Sequence, residues 1–363
     1  VAEALLLEIG CEEIPAGFIA PALEELAALA RGGLEDARLQ HGTVRTLGTP
    51  RRLTLIVEGV AARQEDRIRE VTGPATRVAF DAAGQPTQAA KGFAKSAGVP
   101  VEALERVTTP KGEYLLARVD EKGAAATEVL PARLADWITS LHFPKTMHWN
   151  GPGRFARPVR WILALLGGRT LEFEAFGVAS GHRTRGHRIL APGWLPIPAP
   201  GAYETALHEA GVIADPEARR ARIREELARS AATLSGRAVE DDELIDEVAN
   251  LVEWPEAVAG SFDVAYLKLP RPVIVTAMRA HQRYFAVEGP DGALLPHFIM
   301  IRSGRGPGAE EIRRGTQIVL RARLEDARFY WDNDLKGGLE AKLPLLRGIV
   351  WHERLGTVQD RSE

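Results

Sequence analysis

One cysteine, Cys11, stands among 363 residues, so no disulfide can form within the chain. A disulfide-held scaffold is excluded, and so is a Cys-x-x-Cys metal knuckle. A lone cysteine fits a reducing compartment. Nowhere does an unbroken apolar run reach the roughly 18 residues that a membrane-spanning helix needs. Residues 1–30 show neither the basic start nor the continuous apolar stretch of a secretory signal. Lysine is scarce, with eight of the 46 basic residues. Arginine abundance can reflect genomic base composition, so where the arginines cluster says more than how many there are. The 46 basic and 49 acidic residues nearly cancel, to a net charge of −3, and whole-chain charge therefore points neither toward nucleic acid nor away from it.

The motifs of several chemistries are missing too. No Gly-x-x-x-x-Gly-Lys-Ser/Thr phosphate loop occurs. His208-Glu209 and His352-Glu353 lack the second histidine of a zinc-protease helix. Gly151-x-Gly153-x-x-Ala156 has dinucleotide-loop spacing, but it precedes a strand instead of joining strand to helix. In the stretch from Gly304 to Gly308, Pro307 removes a backbone donor that a phosphate loop would use. Cys11 follows an apolar strand and reads as a buried small hydrophobe rather than a nucleophile.

What is present is ordinary globular material: 45% apolar and 26% charged residues, enough for two or three domains. The pattern predicts a multidomain α+β chain with mixed sheets and helices, becoming mostly helical toward the C-terminus. Strands are expected at 4–9, 53–60, 78–80 and 114–119, with helices near 18–30, 88–97 and 127–140, forming a domain over 1–150. An Ala83-Gly84 turn and a hinge at Asn150-Gly-Pro-Gly153 punctuate this part. A second region, 151–310, has strands at 159–166, 170–176, 256–259, 284–287 and 297–301, and a helical insertion at about 201–251. Pro192, Pro196, Pro198 and Pro200 mark a rigid linker before that insertion. Residues 311–363 read as a helical segment.

Basic side chains cluster in three places. Gly181-His-Arg-Thr-Arg-Gly-His-Arg188 gathers five cationic or titratable side chains around two glycines, and strand alternation would send Arg183 and Arg185 to one face and His182 and Thr184 to the other. Guanidinium forks match phosphate, and histidine can stack on bases; a solvated loop paired with the acids of 204–256 fits equally well. Met278-Arg-Ala-His-Gln-Arg-Tyr-Phe285 interleaves cations with aromatics at a helix end, which suits either a single-strand stacking platform or cations compensating a helix dipole. In the third cluster Arg321 and Glu325 are spaced i,i+4 on a helix, so structural pairing of Arg321 and Arg323 with Glu325 and Asp326 is expected.

In order along the chain, Leu5-Leu-Leu-Glu-Ile-Gly-Cys-Glu-Glu-Ile-Pro15, Thr49-Pro-Arg-Arg-Leu53, Gly92-Phe-Ala94, Phe155-Ala-Arg-Pro-Val-Arg-Trp161, Gly186-His-Arg188, Leu251-Val-Glu-Trp-Pro255, Met278–Phe285, Leu295-Pro-His-Phe298 and the run from Val319 to Phe329 form an ordered set. The set resembles the β subunit of bacterial heterotetrameric glycyl-tRNA synthetase. That resemblance implies a piece from the N-terminal part of a longer subunit, with a region like the B3/B4 domain of the phenylalanyl enzyme over 151–310. It further implies that residues 311–363 open a truncated HD-like helical domain, although no His-Asp dipeptide occurs in the chain. In the family, ATP, Mg and glycine are handled by the α subunit of an α2β2 assembly in the cytoplasm, and the β subunit recognises tRNA(Gly). Arg323-x-Glu325 mimics a class II ATP-binding motif but sits in a helical pattern, so no catalytic residue and no cofactor are assigned to this chain. The residues expected to meet tRNA are Arg51, Arg52, Arg157, Arg160, His182, Arg183, Arg185, His187, Arg188, Arg279, His281 and Arg283. The alternatives are a non-catalytic scaffold for subunit assembly and a B3/B4-type editing module.

Overall fold

A computed structural model describes residues 1–81, 84–149, 151 and 153–362. Of the expected turn at Ala83-Gly84 and the expected hinge at 150–153, Ala83, Asn150 and Pro152 lie outside the described residues. The fold is α+β, with mixed sheets and a largely helical C-terminal part.

The strand Glu3–Cys11 organises the molecule. It lies in a seven-stranded sheet, flanked by Arg52–Val60 on one side and Val159–Leu166 on the other, both antiparallel to it. A division at residue 150 would therefore cut through one continuous sheet. Beyond Arg52–Val60 lies Val44–Thr49, and beyond Val159–Leu166 lies Val178–Gly181, the one parallel neighbour. Gly10 faces Trp161 across the register, and a Cβ built on Gly10 would meet the indole at 1.8 Å, so only glycine lets the tryptophan lie there.

The first strand reads Leu-Leu-Leu-Glu-Ile because both of its faces are covered. Leu5, Leu7 and Ile9 pack with Leu53, Leu55, Val57, Ile162 and Ala164 under the helices Ala16–Asp36 and Ala126–Ser140. Leu6 faces the opposite way, with Ile56, Leu163 and Leu165, against Ile197, Tyr203, Leu207 and Val212. Because side chains alternate along a strand, Glu8 and Gly10 share this second face with Leu6, and Arg52 and Thr54 share it with Ile56. A buried patch of polar residues is thereby set at one end of an otherwise apolar layer.

Two smaller sheets complete the body. Arg67–Ala75, Gly112–Glu121 and Glu105–Thr109 form an antiparallel three-stranded sheet whose small core comprises Ala79, Ala90 and Leu115 with Phe80, Phe93 and Leu104 against it. Residues 78–80, expected as an edge strand, instead fall in the short helix Thr76–Ala79 followed by Phe80. The helix Gln88–Ala97 starts at the Thr87 cap, whose hydroxyl accepts from the Ala89 amide, and stops at left-handed Gly98. The four-stranded sheet runs Arg237–Ala238, Phe285–Glu288, Leu294–Ser303 and Pro255–Ser261. The helices Pro216–Thr233 and Asp242–Ala249 pack on it. Arg219, wholly buried, donates to the carbonyls of Ile213, Ala214 and Ala249, and burial holds its pKa down to about 10. Of the strand expected at 170–176, only Arg169–Thr170 and Glu174–Ala175 are paired. The proline-rich segment carries the strand Trp194–Pro196, which pairs with Arg183–Arg185. Toward the C-terminus the helix Ala309–Asp334 leads into the 3-10 turns of Glu340–Gly348, the hairpin Val350–His352 with Gly356–Thr357, and the helix Val358–Ser362.

Candidate functional site

At the polar end of the second sheet face, Arg52 is fully buried. Its Nε and Nη2 donate to Glu253 Oε1 at 3.2 and 3.0 Å, and Nη1 donates to the Arg185 carbonyl at 2.9 Å and to Thr184 Oγ1 at 3.3 Å. Glu8 lies 3.8 Å away on the other side and accepts from the Thr184 hydroxyl at 2.6 Å and from the Trp161 indole. Burial opposes the charge on Arg52, but Glu253 and Glu8 outweigh it and raise its pKa above the ordinary value. Burial would likewise raise the Glu253 carboxyl; Arg52 and the Thr49 hydroxyl, which donates at 2.7 Å, reverse this and hold it below the usual range. Arg52 is thus a structural clasp joining the first sheet, the 183–185 strand and the segment before Pro255–Ser261. Arg52, expected to meet tRNA, is thus fully buried.

His187 belongs to the same interior. Its Nδ1 accepts from the amides of Ile189 and Leu190, each at 3.2 Å, which requires an unprotonated Nδ1. Nε2 then carries the hydrogen and donates to Ser303 Oγ at 3.0 Å. Ser303 Oγ also accepts from the Glu253 amide at 3.0 Å. Burial lowers the pKa of His187, in keeping with a neutral ring. His187, also expected to meet tRNA, is buried and fully engaged in these hydrogen bonds.

Outside this clasp opens a cleft of about 420 Å³, whose lining includes Arg51, Arg160, Trp161, Arg185, Arg188 and Glu12. Four arginines face one carboxylate there. Glu12 is shared between Arg160, at 3.3 Å, and Arg188, which also pairs with Glu13 at 2.9 Å. Glu12 and Glu13 thus hold arginines, and Arg188 is paired twice. Arg157 sits beside them, donating to the Glu13 and Ala156 carbonyls.

The strand Arg183–Arg185 alternates as expected: Thr184 is turned inward and fully buried, while Arg183 and Arg185 point the other way. Neither arginine has a carboxylate partner among the described residues. Both lie over Trp194 on the paired strand, at 5.2 and 4.2 Å from its ring centre, and the indole remains 42% exposed. Cation–π contact holds the guanidinium groups in place without consuming their charge. His182, next to them, is exposed.

The other expected contacts lie elsewhere. Arg279 pairs with Asp241 and Glu243, and Arg283 with Glu247 at 2.9 Å. Tyr284 and Phe285 are core residues, with Tyr284 stacked on Phe298 at 4.7 Å, so the segment is no aromatic platform. His281 is exposed, in a groove with Arg323 and Tyr330. Glu325 accepts from Tyr266 at 2.6 Å and pairs with Arg328, not with Arg321, and Arg323 has no ion pair among the described residues. The expected pairing of Arg321 and Arg323 is therefore not what forms. Cys11 is buried, and burial drives its thiol pKa upward, which leaves it without nucleophilic character at neutral pH. Glu8, Glu253, Trp161 and Trp194 were not anticipated as parts of the site; the one signal was a carboxylate, Glu8, inside an apolar strand.

Among the described residues no group of three metal-ligating side chains stands together, and no helix is long and apolar enough to cross a membrane. Residues 5–363 match the family model described as glycyl-tRNA synthetase beta subunit. The chain is 45% identical over 364 residues to the glycine–tRNA ligase beta subunit of Myxococcus xanthus, covering 100% of this chain and 52% of that protein. It is 46% identical over 359 residues to the corresponding subunit of Moorella thermoacetica, covering 99% and 52%. The subunit of Desulfatibacillum aliphaticivorans is 45% identical over 358 residues, with 98% and 52% covered. The chain spans about half the length of the curated relatives it matches. With a family match across nearly all of its residues, the chain belongs to the glycyl-tRNA synthetase beta subunit family.

Proposed function

We propose that this chain forms a tRNA-holding part of a glycine–tRNA ligase β subunit, acting in the cytoplasm. Its work is positional: it orients tRNA(Gly) so that the terminal adenosine reaches an active site on the α subunit of an α2β2 assembly. ATP and Mg act there, and this chain supplies no catalytic group. Orientation of this kind removes entropy from the later chemical step. The observation that carries the reading is the pair Arg183 and Arg185, without carboxylate partners among the described residues yet fixed on Trp194, with Arg185 also in the lining of a cleft that holds four arginines and one glutamate. A guanidinium already held in place loses little freedom on meeting a phosphate.

The test uses the full-length β subunit with its α partner. Arg183→Ala/Arg185→Ala should raise the KM for tRNA(Gly) on the order of ten-fold and lower the salt slope of binding by about 1 to 2. Glycine-dependent ATP–pyrophosphate exchange should be unchanged. An unaltered KM and salt slope would refute the reading. A scaffold role is the second reading, favoured by the exposed apolar side chains Ile318, Phe329, Tyr330, Leu339 and Trp351. It predicts that variants on that surface weaken subunit assembly and leave the salt slope alone.

A further inference from the structure

Arg51 differs from the other arginines of the cleft. It follows the turn at Thr49-Pro50, where its amide donates to Thr49 Oγ1 at 3.2 Å and its carbonyl accepts from the Cys11 amide at 2.9 Å, so its backbone is fixed. The side chain lies against the Trp161 ring at 5.6 Å, and the residue is only 9% exposed. Its Nε and Nη1 are buried and have no hydrogen-bond partner. The nearest carboxylate oxygen, Glu253 Oε2, is 3.8 Å from Nη1, outside hydrogen-bonding distance, while the hydrogen bonds from Arg52 and Thr49 go to the other oxygen, Oε1. Arg52 and Arg188 are close enough to repel it.

A buried donor without a partner is costly, more so on a charged group. Arg51 carries this charge behind the wall of a cleft whose other cations are Arg160, Arg185 and Arg188, with Nε and Nη1 turned away from solvent and Nη1 toward Glu253. Glu12 offsets part of Arg160 and Arg188 but makes no ion pair with Arg51 or Arg185. We infer that the cleft beside Arg51 is a discrete binding site for one phosphoryl group, with Arg51 supplying buried positive charge from the wall and Arg185 and Arg188 closing on it from the rim. At about 420 Å³ the cleft is large enough for a phosphate ester. The phosphoryl group could be borne by RNA or by a small phosphate ester. The RNA source rests on the function proposed above; the site itself does not.

The experiment titrates inorganic phosphate into the full-length β subunit at low salt by calorimetry, and repeats tRNA(Gly) binding with and without phosphate. One site per chain is expected. Arg51→Met should weaken phosphate at least ten-fold without lowering the melting temperature, because an apolar side chain of similar length removes an unsatisfied buried charge. Arg51→Lys should restore most of the affinity. Glu12→Gln, which removes the one carboxylate of the lining, should strengthen phosphate several-fold, and it keeps the test open should Arg51→Met fail to fold. Equal phosphate affinity in wild type, Arg51→Met and Glu12→Gln overturns the inference and means an adventitious ion only. Competition between phosphate and tRNA identifies RNA as the source. Arg51-dependent phosphate binding without competition keeps the site and assigns it to a small ester. Loss of tRNA affinity in Arg183→Ala/Arg185→Ala with no phosphate site in any variant leaves the tRNA-holding function standing and removes this inference alone.

Discussion

Replacing Arg52 with methionine separates a structural arginine from a binding one. Methionine fills much of the same volume, so the change removes charge and hydrogen bonds more than packing. Four donor contacts disappear: two to Glu253, one to Thr184 and one to the Arg185 carbonyl. Glu8 and Glu253 remain, both nearly sealed from solvent, and among the described residues the one other arginine ion-paired with either is Arg51, at 3.8 Å from Glu253. Breaking a buried ion pair by removing one partner costs about 3–5 kcal/mol, because the survivor is left charged without compensation. Arg52 faces two carboxylates, so the upper part of that range applies. Exposed Arg183, by contrast, should cost no more than about 0.5 kcal/mol when replaced by alanine. Urea denaturation followed by far-UV circular dichroism and tryptophan fluorescence measures both, and the two signals must coincide for a single free energy to be defined. A second arm combines Arg52→Met with Glu253→Gln. Removing one orphaned charge should recover part of the loss, a coupling that a double-mutant cycle reads directly. If Arg52→Met costs less than about 1 kcal/mol, the range of an exposed surface pair, the clasp does not carry the weight assigned to it.

Two further outcomes follow from the same interior. The folded-state pKa values of His187 and Glu253 both lie below their ordinary values of 6.5 and 4.5, so the unfolded chain binds more protons than the folded one. Their contribution is intact above 6.5 and is lost as pH falls, first through His187 and then, below 4.5, through Glu253; melting temperatures measured from pH 7 to 4 should decline, with a shallower decline from 7 to 5 in His187→Gln, and an equal slope in that variant would exclude His187 as the cause. Gly10→Ala places a Cβ inside the Trp161 ring at 1.8 Å, so the indole must leave its position and its bond to Glu8; a loss of at least about 1–3 kcal/mol is expected, with a changed tryptophan emission, and an unperturbed spectrum and stability would contradict the register described.

Much of the fold was readable wherever one local signal sufficed. The first strand, the strand at 159–166 and the helix Gln88–Ala97 announce themselves by apolar run, by period and by cap. The strand Arg67–Ala75 does not, because it carries Arg-Ile-Arg-Glu on an exposed stretch and has no buried face to impose a period. Val44–Thr49 was hidden by the turn signal at its own end, Gly48-Thr49-Pro50. Val78 and Phe80 look like strand residues but stand in and just after one turn of helix that covers the small third core, a case of tertiary packing prevailing over β-propensity. Nor could the boundary at 150 be tested by local composition. What crosses it is the pairing of Glu3–Cys11 with Val159–Leu166, whose partners run from Leu5 with Leu166 to Cys11 with Val159.

The site was less legible, for a reason that concerns the arginines themselves. Arg51 and Arg52 are neighbours of identical chemistry, yet one lies in the turn and faces the cleft while the other enters the strand and is consumed by Glu253, 201 residues away. Arg188 is matched by Glu12 at a separation of 176, and Arg279 by Asp241 at 38. Short-range spacing proved a poor guide even within a helix: Arg321 and Glu325 have ideal i,i+4 placement, but Glu325 is taken by Arg328 and by Tyr266, 59 residues distant. Availability to an anion is therefore a property of what remains after long-range carboxylates have been assigned. By that measure the three arginine clusters are unequal. The third contributes to helix packing and a groove, the second is spent on acids of the neighbouring helix, and within the first only Arg183 and Arg185, held on Trp194, retain their charge at the surface. Arg51 adds a different kind of availability, because its charge is buried and still lacks a hydrogen-bonding partner. An RNA chain approaching this face would meet exposed guanidinium groups at the rim before any phosphate reached the wall.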